Sequence, residues 1–348
     1  MRSPWNLCVR ASTAVATLLA ALCLSGLANF VDLANPSAVS AGTGAVVEQA
    51  APAGNVIDTH IHIFDPARPG GIAWPPPGHA LYHPSMPADF AAIAGPAGVT
   101  GAVIIEASPV IADNDWMLDV MENEPSLLGY VGFLRLASEE FADNLAGLAT
   151  HPRFVGIRGA VNKASLDDPR TMAALRDLQS RNLTLDISGP TEISLLEVSV
   201  VAAALPDLHI VIDHLGNKRI DGTAPDSVWI SGIQALSRHP NVYMKISGLY
   251  QNAGKEKPAL TDVGYYAPML DVVWDGLGED RLLYGSNWPV TNLYGEYGPN
   301  VDIVRSYFAT KGAVALEKVM WLNAVKAYSL TLTQDRPPGI LNRCSGSS

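Results

Sequence analysis

Short apolar runs rich in Val, Ile and Leu recur eight times between residues 56 and 286, at 56–63, 101–107, 128–134, 154–161, 183–187, 209–214, 242–247 and 281–286. Between them the apolar residues fall at helical spacing, as with Met117, Val120 and Met121 in 116–122 and Met172, Leu175 and Leu178 in 172–179. Further helices are predicted over 194–205, 266–277, 301–311 and 316–328. Strands that alternate with helices imply parallel pairing through right-handed crossovers, and eight of them suit a closed (β/α)8 TIM-like barrel. An open doubly wound sheet is the structural alternative. It lacks support, because no Gly-x-Gly-x-x-Gly follows the first strand.

The first connection breaks the pattern. Residues 66–87 are rich in Pro and Gly, have no helical period, and hold Trp74, His79, Tyr82 and His83. A long structureless loop after a barrel strand is expected over the mouth as a lid or binding loop.

Composition and the chain ends refine this picture. Arg2 and Arg10 flank a polar start, and a small-and-apolar run follows over 11–28, the order of an export signal. Residues 1–50 are therefore expected to be a signal peptide and leader, 51–332 the barrel domain, and 333–348 a Ser/Gly-rich tail. Export to the periplasm or the extracellular space is the expected destination, with an uncleaved membrane anchor as the alternative. The net charge of −11 loses Arg2, Arg10 and Asp32 if cleavage follows Ala41, and becomes one unit more negative. Such a chain is a poor partner for nucleic acid, which selects a basic face. Of the three cysteines only Cys344 lies outside the leader, so no disulfide framework is expected in the mature chain.

In a parallel barrel the active site is assembled at the C-terminal strand ends. The first strand carries His60 and His62, two apart and hence on one face. The second ends at Glu106, the fourth at Arg158, the sixth at Asp213 and His214, the seventh at Lys245 and Ser247, and the eighth at Ser286, Asn287 and Trp288. Stability alone does not place polar groups at six strand ends, since a buried charge needs a partner to offset its desolvation.

Asp58-Thr59-His60-Ile61-His62, Ile212-Asp213-His214-Leu215-Gly216, Lys245-Ile246-Ser247-Gly248-Leu249 and Tyr284-Gly285-Ser286-Asn287-Trp288-Pro289 together resemble the amidohydrolase superfamily. More narrowly, they resemble the amidohydrolase-related branch that includes sugar-acid lactonases, sulfomuconolactonase and pyrone-dicarboxylate lactonase. The resemblance spans residues 56–330 and implies hydrolysis of a small cyclic ester at the barrel mouth. It also implies one divalent metal, zinc first, on His60, His62 and His214. Some members of the branch work without a metal, and there the same histidines and nearby cations polarise the carbonyl.

Two departures from the family pattern bear on mechanism. The eighth strand of the family ends in Ser-Asp-Trp-Pro, whose Asp takes the proton from the attacking water; Asn287 stands there, and a carboxamide is no general base. The fifth strand lacks the His of two-metal members, so a binuclear site is not expected. Glu106 stands where the branch commonly has an amide, which makes it the candidate proton acceptor, with His214 and Asn287 as its catalytic companions. The rival reading pairs Glu106 with Arg158 or Lys245. Arg158, Lys245, Trp74, Tyr82, His83 and Trp288 are the candidate substrate-binding residues, although the aromatics also suit packing of the long loop. Asp58 and Asp213 are expected to orient their neighbours rather than react. Two further functional readings are a catalytically silent barrel that binds a small molecule and a metal-dependent decarboxylase.

Overall fold

The computed structural model describes residues 55–189, 191–254 and 258–331. The expected leader, its signal and the whole of the expected tail lie outside the described residues. Eight parallel strands run in sequence order: β1 (Ile57–Ile61), β2 (Gly101–Ile105), β3 (Leu127–Gly132), β4 (Phe154–Gly159), β5 (Thr184–Ile187), β6 (Ile210–Ile212), β7 (Val242–Ile246) and β8 (Leu282–Tyr284). All eight predicted runs are strands, each shorter than the run, and all but β5 end short of it because the last residues leave the ladder at the mouth.

Just past the strand ends, backbone bonds join β1 to the segment after β8. Asn287 N–H donates to His60 O at 2.8 Å and His62 N–H donates to Trp288 O at 2.8 Å. The Thr59 hydroxyl also donates to Tyr284 O. These bonds complete a (β/α)8 barrel. Gly285 permits the approach, since a Cβ there would meet His60 Cβ at 3.0 Å.

Two apolar layers hold the barrel. Outside, strand residues such as Ile61, Ile104, Ile157 and Leu282 pack against the helices. Inside, Ile57, Val103, Val131, Val155, Val211, Tyr243 and Leu283 fill the lower bore, and Ala324, Ala327, Tyr328 and Leu330 from the C-terminal segment close the floor beneath them. Burial of an aliphatic side chain is worth roughly 1.5–3 kcal/mol, so these layers form a stiff frame for the polar residues above.

Helices are found where the periodicity predicts them, among them Asp113–Met121, Pro169–Ser180, Leu195–Ala204, Val263–Leu277 and Tyr297–Ala309. The predicted helix over 316–328 is broken into Ala313–Glu317, a π turn over Lys318–Leu322, and Asn323–Ala327. Among the described residues five α-helices have no counterpart in the sequence reading: Pro87–Ala94, Phe141–Leu148, Lys163–Leu166, Ser227–Leu236 and Leu249–Asn252. Among the described residues no helix is long and apolar enough to cross a membrane.

Candidate active site

Three imidazoles meet at the C-terminal rim. The ring centroid of His60 lies 5.0 Å from that of His62 and 4.2 Å from that of His214. β1 delivers the first two. A register shift between Asp58 and Ile61 lets both Ile57, in the bore, and His60 face inward. Asp58 points the other way, and its carboxylate accepts from the backbone N–H groups of His60 and Ser286 and from the Tyr297 hydroxyl. It anchors β1 to the segment after β8, an orienting role.

His214 arrives differently. His214, Leu215, Gly216 and Asn217 all have left-handed backbone angles, with φ of 53°, 55°, 66° and 57°. Successive left-handed residues cost about 1–2 kcal/mol each when they carry a Cβ, least for Asn, and such strain collects at functional sites. Several hydrogen bonds hold the turn. Asn252 Nδ2 donates to His214 O at 2.8 Å, Asn217 Nδ2 to Gly189 O at 2.7 Å, and Ile193 N–H to Gly216 O at 2.9 Å. Ser247 Oγ accepts from His214 N–H at 3.2 Å.

Each imidazole has a partner at Nδ1. His62 Nδ1 donates to Ile105 O at 3.0 Å, His214 Nδ1 lies 2.9 Å from Ser247 Oγ, and His60 Nδ1 lies 3.2 Å from Asp213 Oδ1 and 3.3 Å from Lys245 Nζ. That pattern leaves Nε2 for other work. His60 Nε2 is buried without a hydrogen-bond partner. His62 Nε2 faces Asn287 Oδ1 at 3.1 Å. With the ring proton on Nδ1, that contact joins two lone pairs, which either a turned carboxamide or a shared cation resolves. Asn287 is itself left-handed, with φ of 65°. Burial keeps all three rings neutral: His62 is lowered to about 4, His214 to about 3, and His60 well below its ordinary value.

The neutral imidazole is the form that binds metal, and a ligating His ordinarily uses its other nitrogen to bond a carboxylate, hydroxyl or carbonyl. His60, Asp213 and His214 can also bring ligand atoms within 4.8 Å of one another. This grouping, with Asp213 where the sequence reading expects His62, is compatible with a single divalent metal among the described residues.

Beside the histidines runs a row of charges of alternating sign, from Glu106 at the rim to Asp186 in the interior. Glu106 Oε1 is 3.8 Å from Arg158 Nη1, and Arg158 Nε donates to Asp213 Oδ2 at 3.1 Å. Asp213 Oδ1 is 3.0 Å from Lys245 Nζ, which donates to Asp186 Oδ2 at 2.7 Å. Tyr328, rising from the floor, donates to the same oxygen of Asp186 at 2.8 Å. Burial pushes Asp213 up, but Lys245, His60 and Arg158 outweigh it and hold the carboxyl well below the usual range. Burial pushes Asp186 up to about 6 against the pull of Lys245. Burial also raises Glu106, opposed by Arg158. Glu106 is thus a carboxyl of raised proton affinity, one guanidinium away from the histidine cluster.

The structure sorts the other candidates. Trp74 stands edge-on to His62 at 5.8 Å between centroids, at the site. Tyr82 and His83 are exposed on the long loop, and His83 bonds the neighbouring Pro84 carbonyl. Lys245 is fully buried, with its ammonium taken by Asp186, Asp213 and His60, so a substrate at the mouth does not meet it. The Trp288 ring turns outward and packs 5.4 Å from Phe90, because the left-handed Asn287 reverses the facing order after β8.

Several residues escaped the sequence reading. Arg68, on the long loop, pairs with Asp113, bonds Gly71 O at 2.7 Å and stacks 4.4 Å over Trp116. Together with Trp74, Glu106 and Tyr130 it lines a small cavity beside the site. Asp186 and Tyr328 were also missed. The inward parity of the strand offered a signal for Asp186, and no local signal pointed to Tyr328.

The family model for amidohydrolases matches residues 57–330. The chain belongs to the amidohydrolase family. This protein is therefore a hydrolase. It is 32% identical over 247 residues to an L-fucono-1,5-lactonase of Burkholderia ambifaria, covering 70% of this chain and 83% of that one. Its barrel superposes on an amidohydrolase from Burkholderia multivorans with bound Zn at a TM-score of 0.70 and 22% identity, covering 79% of this chain and 99% of that one. A probable 2-pyrone-4,6-dicarboxylic acid hydrolase from Acinetobacter baumannii, with citric acid bound, gives a TM-score of 0.63 at 19% identity over 79% of this chain and 99% of that one. These two structures establish the shared fold.

Proposed function

We propose that this amidohydrolase is an exported lactonase that opens a small cyclic ester, an aldono-1,5-lactone before others, by water attack at the barrel mouth. The observation that carries the reading is the cluster of three neutral imidazoles, each tied at Nδ1, in a chain 32% identical to an L-fucono-1,5-lactonase. The leader-like order of residues 1–50 supports export, with membrane anchoring as the alternative outcome.

His60, His62 and His214 would hold one divalent metal, zinc first; when bound it acts as a Lewis acid on the carbonyl and on water. Ile105 O orients His62, Ser247 orients His214, and Asp213 orients His60, while Asn287 Oδ1, beside His62 Nε2, is placed to share the ion. Glu106 takes a proton from the attacking water as its oxygen bonds to the carbonyl carbon. It returns that proton to the ring oxygen as the carbon–oxygen bond breaks, and a hydroxy acid leaves. A carboxyl lifted by burial is suited to both transfers. Arg158 keeps Glu106 within the charge row, and Trp74 packs beside His62 over a ring-shaped substrate.

The test is a panel of aldono-1,5-lactones and aromatic-derived lactones read as acid release, with zinc content measured on protein purified without chelator. Hydrolysis above the buffer rate supports the lactonase reading. Tight lactone binding without turnover would instead indicate a silent barrel, and carbon dioxide evolved from carboxylated substrates a decarboxylase.

A further inference from the structure

His60 Nδ1 lies between two side chains with opposite demands. Lys245 Nζ, 3.3 Å away and aligned for a hydrogen bond, can only donate, which requires a lone pair on Nδ1 and moves the ring proton to Nε2. Asp213 Oδ1, 3.2 Å away and buried without a hydrogen-bond partner, can only accept, which requires the proton on Nδ1 and frees the Nε2 lone pair. A neutral ring satisfies one of them at a time. The balance depends on how firmly the ammonium is held elsewhere. Asp186 Oδ2 holds it at 2.7 Å from the floor side, and the Tyr328 hydroxyl, 2.8 Å from that oxygen, keeps the carboxylate in place. All four side chains are buried, so water cannot substitute for any of them.

We propose that Asp186, Lys245 and Tyr328 form a tautomer selector for His60. By drawing the ammonium toward the floor, Asp186 leaves Nδ1–H to Asp213 and turns the Nε2 lone pair toward the mouth. The three are positioning residues, and none of them meets the substrate. The inference rests on the reading of His60 as a metal ligand under Proposed function. It assigns a role to Lys245 and Asp186 that burial of an ion pair for stability alone does not supply, since such pairs often do no better than an apolar replacement.

The experiment uses the full chain, stripped with chelator and labelled with 15N-histidine. Long-range 1H–15N spectra report which nitrogen of His60 carries the proton, and competition with a chromophoric chelator reports Zn²⁺ affinity. Asp186→Asn is expected to raise the Nε2–H fraction of His60 and to weaken Zn²⁺ binding about 10- to 100-fold, the range for outer partners of a ligating His. Adding Lys245→Met to Asp186→Asn removes the competing donor, so the Nδ1–H form and most of the affinity return. Tyr328→Phe shifts both readouts the same way by a few-fold, and it decides the matter if Asp186→Asn does not fold. Variants that melt earlier yet keep the wild-type tautomer and affinity would reduce the network to a structural ion pair and overturn the proposal. A wild type that binds no Zn²⁺ removes the metal from the proposed function, while the tautomer shift still judges the selector.

Discussion

Ser247→Ala probes the strained turn that presents His214. The serine hydroxyl accepts the His214 backbone N–H at 3.2 Å and lies 2.9 Å from its Nδ1, with all these atoms buried. Removing it forfeits a ring contact of about 1 kcal/mol and leaves a buried amide unsatisfied at about 1–3 kcal/mol. The three left-handed residues that carry a Cβ, His214, Leu215 and Asn217, cost about 3–6 kcal/mol together. The bonds from Asn252, Asn217, Ile193 and Ser247 return about 1 kcal/mol each, so the turn is held with little margin. The variant is expected to lose about 2–4 kcal/mol in urea unfolding followed by circular dichroism, with an unchanged m value. Its His214 ring loses its fixed orientation, so kcat/KM on a hydrolysed lactone should fall at least about 10-fold. Amide exchange at Ile193, which donates to Gly216 O, should quicken as well. Stability within about 0.5 kcal/mol of wild type together with a rate within about twofold would refute the argument.

Glu106→Gln keeps the shape but not the proton acceptor, and kcat should drop about 100-fold or more with KM little changed, as read by acid release; an unaltered kcat would return Glu106 to a mere partner of Arg158. His62, lowered to about 4 by burial, is neutral in the fold while the unfolded chain takes its proton near 6.5. Its contribution to the stability of the metal-free protein is therefore complete above pH 6.5 and is lost as pH falls toward 4, by about 3 kcal/mol. A His62→Gln variant should lack that share of the acid limb, and a wild-type His62 resonance titrating above pH 6 would contradict the burial argument. Asp186, pushed up to about 6, works in the opposite sense, because there the fold binds the extra proton. Chelator treatment should lower the midpoint of thermal unfolding and abolish hydrolysis, both restored by zinc; full activity in verified metal-free protein would move the chemistry to the histidines alone.

The barrel was legible because its strands are short apolar runs and most of the crossovers between them carry a helical period. Ser227–Leu236 escaped because its Val, Trp and two Ile read as strand-like, and Phe141–Leu148 because its eight residues are too short to show a period. The rim was legible through parity: His60, His62, Glu106, Arg158 and Asp213 gather as strand-end residues should. Parity gives the face of a strand but not the depth. Lys245 therefore read as a mouth residue, although it sits two residues below Ser247 and is enclosed by Asp186 and Asp213. Trp288 was misplaced by one left-handed residue, Asn287, which the sequence does not reveal. The turn at His214 was hidden for the same reason, since only one of its four left-handed residues is glycine. Arg68 and Tyr328 reach the site from a loop and from the floor, and no strand-end rule covers either.

The most direct test compares acid release from an aldono-1,5-lactone by wild type and by His214→Asn, both loaded with zinc and both shown folded by circular dichroism. Hydrolysis at the rim predicts a wild-type rate well above buffer and a loss of at least about 100-fold in the variant. A wild type no faster than buffer across the lactone panel, or a His214→Asn protein as fast as wild type, would contradict it.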